Sequence, residues 1–332
     1  MSNRLSDSAV KQIPSAPLID VHLHAYPLDA VLGSELTNPA TGAPGSVADG
    51  AAHLEACLAQ MRRYNIVKGV VSAGSGDRLV VRSAWRAAAP DLFVAGAGIR
   101  GSHEIPLPPI AELRRRFTSG ELAVLGEVTA QYAGLTLSDK PFEPYLALAE
   151  ELDVPVCVHT GIGPPGVSYD PSSRSFRARL GNPLRLEEAP NRHPRLRVSL
   201  MHAGWPYLDD TIAVMIVYAQ VYADLGAINW IFPRPAFHAY LEALMRVGLG
   251  SRLMFGADQM YWPEAIGMAV EATHAAPFLS ASERRDISTT TRHASFGSRT
   301  TRAVTPIRVS STFARGPWSY PLMQDQDRRT LS

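Results

Sequence analysis

The sequence predicts an α/β chain folded as a (β/α)8 TIM barrel with a long loop after strand 1, and three observations predict it. Short apolar segments rich in Val, Leu and Ala recur eight times between residues 18 and 260, as strands covered on both faces do. Amphipathic helical stretches alternate with them, punctuated by Pro and Gly. No Gly-rich phosphate turn follows the first segment, which counts against a doubly wound open sheet.

The first segment, LIDVHLHAY (18–26), carries His22 and His24. Residues two apart in a strand share a face, so both imidazoles point the same way. VKGVVSAG (67–74) and LFVAGAGI (92–99) follow, then AVLGEVTAQ (123–131) with Glu127. VPVCVHTG (154–161) carries His159, and the same parity turns Cys157 with it. LRVSLMHAG (196–204) carries His202, VYADLGA (221–227) is the seventh strand, and LMFGADQM (253–260) carries Asp258. Helical patterns between them include AAHLEACLAQMRRYN, FEPYLALAEEL, YLDDTIAVMIVYAQ and FHAYLEALMRVGL. Residues 28–50, LDAVLGSELTNPATGAPGSVADG, form the long Pro/Gly-rich loop; on the C-terminal face of a barrel it is a candidate lid. The expected organisation is an N-terminal extension (1–17), the barrel (18–287) and an atypical tail (288–332).

The chain has 332 residues, 46% of them hydrophobic, which suits one large globular domain. A formal net charge of +1 makes no electrostatic case for nucleic acid or membrane. Two cysteines, Cys57 and Cys157, suggest a reducing compartment rather than a disulfide framework. No apolar signal region opens the chain, and no run of about 18 apolar residues could span a bilayer. A cytoplasmic protein with a small-molecule substrate is the expectation, and homo-oligomerisation is compatible with it.

Barrel strands converge at their C-terminal ends, where active sites form. His22, His24, Glu127, His159, His202 and Asp258 would there share one cavity. Neutral imidazoles and carboxylates suit Zn, Mn or Fe(II), while two scattered cysteines argue against a thiolate site. A lone HxH pair is a weak signal; polar ligands at the ends of five strands are a much stronger one. His53, His103, His193, His238, His274 and His293 fall on helices, loops or the tail and read as solvated surface.

On DVHLHAY, GEV, VHTGIG, MHAGWP and FGADQMYWPEA, the chain resembles the amidohydrolase superfamily, in particular the amidohydrolase-related (amidohydrolase 2) family, over roughly residues 17–287. These motifs together are specific for the superfamily and not for one reaction. The resemblance implies a divalent metal ion, zinc with manganese as the alternative, held by His22, His24, His159 and Asp258. It makes His202 either a second-metal ligand or a catalytic group that polarises substrate or orients water. Members often bridge two metals with a carboxylated Lys or a Glu on strand four. Here no Lys stands there and Glu127 does, so one metal is expected, with Glu127 as a ligand or bridge. Asp20, inward by strand parity, is expected to hydrogen-bond a ligand histidine. The implied function is metal-dependent hydrolysis of a small organic acid, amide or lactone, with Asp258 as general base and His202 beside the oxyanion. A metal-dependent decarboxylase of an aromatic or unsaturated acid is the alternative, and an inactive or ligand-binding barrel the second alternative.

The loop after the fifth strand, GIGPPGVSYDPSSRSFRARLGNP, carries Arg174, Arg177 and Arg179. Arginine suits a substrate carboxylate, so Arg177 and Arg179 are candidate substrate residues, although each read singly is a solvated charge. Trp205 and Trp262, among aromatics that include Tyr26, Tyr207, Trp230 and Tyr261, are candidate pocket walls.

From Ser288 the composition changes: the last 45 residues hold 15 Ser or Thr, 7 Arg, no Lys and 2 acids. That composition reads as poorly ordered. Moreover, STTTRHASFGS can be encoded by codons that, read one base out, give Phe-Tyr-Asn-Asn-Ala-Ala-Arg-Phe-Leu-Arg-Leu, a helical ending. A single-base deletion at this junction, natural or a sequencing artefact, is the expectation.

Overall fold

In the computed structural model of the chain, residues 16–33, 36–74, 80–102 and 105–289 are described. The chain divides into two units, Met1–Gly297 and Ser298–Ser332, and every described residue lies in the first. The expected N-terminal extension up to residue 15 and the tail from residue 290, with its proposed frame change, lie outside the described residues.

Eight strands follow one another around a single parallel sheet: β1 (Leu18–Ala25), β2 (Ile66–Gly74), β3 (Phe93–Ile99), β4 (Val124–Val128), β5 (Val156–His159), β6 (Val198–Met201), β7 (Val221–Asp224) and β8 (Leu253–Met254). Between and after them lie α1 (Gly50–Arg63), α2 (Val80–Ala88), α3 (Ile110–Thr118), α4 (Glu143–Glu151), α5 (Glu188–Arg192), α6 (Leu208–Val217), α7 (Ile228–Ile231), α8 (Arg234–Arg246), α9 (Ala265–His274) and α10 (Ala281–Thr289). The helices cover the sheet with apolar stripes at helical spacing. On α8 these are Phe237, Tyr240, Leu241 and Leu244, all buried. Asp49 starts α1 by accepting from Ala52 N at 2.8 Å. Ser288 and Thr289 continue α10, so the change in composition begins inside that helix.

Side chains fill the barrel. Val21, Val70, Val124, Cys157, Met201 and Met254 form one buried layer, with Val94 and Tyr222 packed against it. Each strand thus contributes to a closed floor beneath the C-terminal face. The β8–β1 seam is closed by Val21 N donating to Phe255 O at 3.0 Å and Asp258 N donating to His22 O at 2.8 Å. The strand expected over 253–260 is only two residues long. Past Met254 the backbone leaves strand geometry, with Asp258 at φ 49° and Met260 at φ 46°. The strand expected over 196–204 likewise stops at Met201, because His202 and Ala203 take φ 61° and 46°.

Between β1 and α1 the described residues carry only the isolated bridges Val31–Asp49 and Thr37–Pro44. This segment is tied down beyond β8: Asn38 Nδ2 donates to Glu264 Oε1 at 3.0 Å and Trp262 Nε1 to Leu36 O at 3.3 Å. Among the described residues, no helix is long and apolar enough to cross a membrane.

Candidate metal centre

The inward-facing polar residues arrive by departures from regular strand geometry. On β1 the register against β2 slips between Asp20 and Leu23. Val21 therefore belongs to the interior layer although parity opposes it to His22. His22 and His24 still share a face, their rings stacked with centroids 5.9 Å apart. On β4 the register slips between Leu125 and Val128, where three residues match two on β5, and Glu127 lies in that irregular stretch. His202 and Asp258 follow their strands in left-handed backbone, which costs a non-glycine residue about 1 kcal/mol. Among the described residues, five of the seven non-glycine residues in that conformation (His202, Ala203, Ala227, Asp258 and Met260) lie just past β6, β7 and β8. Strain held at one end of a barrel is characteristic of functional sites.

The structure brings all six expected ligands together. His24 Nε2 lies 2.7 Å and His22 Nε2 3.4 Å from Asp258 Oδ1. His202 Nδ1 lies 3.7 Å from Asp258 Oδ2, and its Nε2 3.9 Å from Glu127 Oε1. Three overlapping groups have their ligand atoms within 4.8 Å of one another: His22–His202–Asp258, His22–His24–Glu127 and Glu127–His159–His202. His159 enters only the last, so Glu127 and His202 link it to the other expected ligands.

Hydrogen bonds around the cluster decide which imidazole nitrogen faces it. Gln131 Nε2 donates to the carbonyls of Gly161, Arg177 and Ala178 at 3.1, 3.2 and 3.3 Å, which orients its amide. Its Oε1 then accepts from His159 Nδ1 at 2.9 Å, leaving the Nε2 lone pair for the site. The carbonyl of Gly226 accepts from His202 Nδ1 at 3.0 Å, with the same consequence. Asp224 Oδ1 accepts from His22 Nδ1 at 3.4 Å.

One buried atom at the centre, His22 Nε2, has no hydrogen-bond partner, and it lies 3.4 Å from the Asp258 oxygen that His24 contacts. Buried polar atoms normally have one. A divalent cation among these lone pairs supplies what is missing, and imidazole with carboxylate is the donor set that Zn or Mn accepts. The residues fit the ion.

Charge points the same way. Burial opposes ionisation of Asp258, but the imidazoles of His22 and His24 outweigh it and hold its carboxyl below the usual range. Burial likewise opposes a charge on Glu127, which His202 and His159 overcome to keep it ionised. His22 is disfavoured as a cation by burial, yet the carboxylates of Asp258 and Asp224 push it up to about 10. His202 is raised despite its burial by Glu127 and Asp258. His159 is pushed down to about 4 by burial and by His202. In the metal-free protein a proton on His22 thus balances the carboxylates, and a cation bound there would release it.

The other expected residues have partners of their own. Asp20 is buried and bonds the expected ligand His22 as anticipated, but through its backbone: Asp20 Oδ1 accepts from the backbone nitrogens of His22 and Ala257, each at 3.0 Å. Burial raises its carboxyl to about 7. Arg177 and Arg179 are exposed, and the Arg177 guanidinium donates to the carbonyls of Arg174 and Phe176. Trp205 packs on Phe232 and Tyr240, and Trp262 on Trp230 and Tyr261. His53 and His193, expected at the surface, are buried: His53 Nε2 donates to Met260 O, and His193 lies between Glu143 and Glu150. His103 and His293 lie outside the described residues.

Gln131, Asp224, Arg100 and Tyr132 escaped sequence reasoning. Asp224 carried the signal used for its neighbours, an acid at the C-terminal end of a strand. Arg100 lies over the Tyr132 ring at 5.0 Å, its Nε donating to Thr129 Oγ1 at 3.2 Å, and Tyr132 meets His159 edge-on with centroids 5.1 Å apart.

Comparison with known proteins agrees with this geometry. A 143-residue stretch, 40% of the chain, is 24% identical to Protein fluG of Emericella nidulans and spans only 16% of that protein's length. A solved probable 2-pyrone-4,6-dicarboxylic acid hydrolase of Acinetobacter baumannii superposes with a TM-score of 0.60 at 14% identity, covering 85% of this chain and 99% of that one. The 2,6-dihydroxybenzoate decarboxylase from Rhizobium superposes with a TM-score of 0.56 at 16% identity, covering 83% of this chain and 98% of that one. Such identities establish the shared fold alone. The amidohydrolase family profile matches residues 19–291, most of the described barrel and every proposed ligand. With an enzyme fold and a cluster able to hold a divalent metal, this chain belongs to the amidohydrolase family.

Proposed function

We propose that the chain is a metal-dependent hydrolase of a small organic acid, amide or lactone, using zinc, with manganese as the alternative. The observation that carries the reading is a buried imidazole nitrogen without a hydrogen-bond partner, His22 Nε2, inside a cage of imidazoles and carboxylates. His22, His24 and Asp258 would hold the ion, with His159 and Glu127 completing the set. When bound, such an ion acidifies water and polarises a carbonyl. Asp258, kept ionised by its histidines, accepts the proton of the attacking water. His202 presents Nε2 to the site through its bond to Gly226 O, and in its protonated form donates to the developing oxyanion. Arg100, one aromatic ring from His159, supports an anionic substrate.

One observation favours decarboxylation as a second reading. His202 Nδ1 is tied to Gly226 O and its Nε2 faces Glu127 Oε1 at 3.9 Å, where neighbouring carboxylates favour its protonated form; it could deliver the proton a carbon requires after loss of carbon dioxide.

The test is turnover of a panel of lactones, amides and aromatic acids by the zinc- or manganese-loaded protein, with carbon dioxide release measured in parallel. Hydrolysis that is lost on chelation, restored by metal, and reduced about 100-fold or more in Asp258→Asn is expected. Carbon dioxide release without hydrolysis would replace the first reading by the second. A folded, metal-loaded protein that turns over nothing on the panel would favour a binding barrel.

A further inference from the structure

We infer that Asp224 is a positioning residue of the metal centre: a single carboxylate oxygen gathers His22 and His202 and presents both imidazoles to the ion. The inference rests on the metal reading above and names a residue outside the ligand cluster.

Asp224 ends β7 and is 1% exposed. Three donors converge on its Oδ1: Gly226 N at 2.8 Å, His202 N at 3.3 Å and His22 Nδ1 at 3.4 Å. The bond from His22 Nδ1 leaves Nε2 as the lone-pair nitrogen, the atom that lies unpartnered at the centre. The bond from His202 N fixes the first residue past β6, where the backbone is left-handed. Gly226, held by the same oxygen, uses its carbonyl to fix the tautomer of His202. One turn, Asp224 to Gly226, thereby sets the aim of two imidazoles from two other strands.

The space around this turn fits that role. A Cβ at position 226 would stand 2.9 Å from His22 Nδ1 and 3.0 Å from Asp224 Oδ1, and one at 256 would stand 2.9 Å from His22 Cβ. Bare backbone at both places leaves the slot in which acid and imidazole meet. Asp224 Oδ2 is buried and has no hydrogen-bond partner, so every bond this carboxylate makes goes through Oδ1. Asp20 makes a useful contrast. It too is a buried acid near His22, but its bonded oxygen takes only backbone N–H groups. An acid of that kind shapes the chain, whereas Asp224 also acts on an imidazole.

The wild-type, Asp224→Asn and Gly226→Ala proteins, stripped of metal and shown by circular dichroism to be folded, are compared for zinc affinity by competition with a chromophoric chelator, and for their cobalt(II) absorption bands. Wild-type protein is expected to bind zinc stoichiometrically. Asp224→Asn keeps the shape and loses the charge, and Gly226→Ala drives a methyl group against the acid–imidazole pair. Each is expected to bind zinc about 10- to 100-fold more weakly, with shifted cobalt bands. A purely structural role would lower stability while leaving both readouts unmoved. Zinc affinity and cobalt bands equal to wild type in both variants would overturn the inference and leave the metal reading intact. Failure of the wild-type protein to bind zinc or cobalt would overturn the metal reading, and the inference with it. Should Asp224→Asn fail to fold, Asp224→Ser, which removes the carboxylate without added bulk, decides in its place, because a Cβ at position 226 also meets Asp258 Cβ at 3.0 Å.

Discussion

His22 and His53 are both buried to 0% exposure, yet their imidazoles are driven to opposite protonation states. His22 faces Asp224 and Asp258 and stays charged in the metal-free protein; His53 donates to a carbonyl, and burial holds it near 4 against an ordinary 6.5. Between those two values the unfolded chain binds more protons at His53 than the folded one. Its contribution is therefore complete above about pH 6.5 and lost as the pH falls toward 4, a loss on the order of 3 kcal/mol. Denaturant unfolding at neutral pH and at about pH 4.5 should show this decline, and His53→Gln, which keeps an N–H donor and does not titrate, should flatten it. An equal decline in the variant would assign the acid sensitivity elsewhere. Neither the burial of His53 nor that of His193 was legible in sequence, because each partner lies far along the chain: Met260 for the first, Glu143 and Glu150 for the second.

At the scale of elements, the site is assembled where strands stop being strands. Periodicity identified all eight, but it extended β6 and β8 past their ends, because apolar spacing carries no mark of the left-handed residues that terminate them. The short β8 is compensated by side chains. Gln259 Oε1 accepts from His24 N at 3.0 Å, and its Nε2 donates to His24 O at 2.8 Å, so an amide stands in for a ladder rung between β8 and β1. Gln259→Leu would leave both backbone groups without these bonds beside a proposed ligand. It is expected to lower stability by about 2 kcal/mol in urea unfolding and to weaken zinc binding as well. Unchanged stability would show that the seam is held by Val21 N to Phe255 O and Asp258 N to His22 O alone.

For the whole molecule, the proposed ion joins parts of the chain as distant as β1 and the turn after β8. If it binds only the folded state, zinc at 100 times its dissociation constant should stabilise the protein by about 2.7 kcal/mol. For a barrel of this size that is a rise of about 5 °C in the unfolding midpoint, measured by calorimetry with zinc and with chelator. An unmoved midpoint would count against a site closed by residues from both ends of the barrel. The tail makes a prediction of another kind. Resequencing the coding DNA across codons 287–298 is expected to show one base more than the present reading, restoring the frame of Phe-Tyr-Asn-Asn-Ala-Ala-Arg-Phe-Leu-Arg-Leu. An intact frame would dispose of the idea. The six clustered residues all precede that junction.

Strand period, strand count and polar residues at strand ends are local properties of the chain, and they were enough to read the barrel and the identity of the clustered residues. Only the tertiary structure decided how those residues are held. It showed that Glu127 and His202 link His159 to the rest, that Gln131 and Gly226 O set tautomers, and that Asp20 serves backbone while Asp224 serves His22. Those are relations among groups from different strands, set by register slips and left-handed turns that no local periodicity encodes.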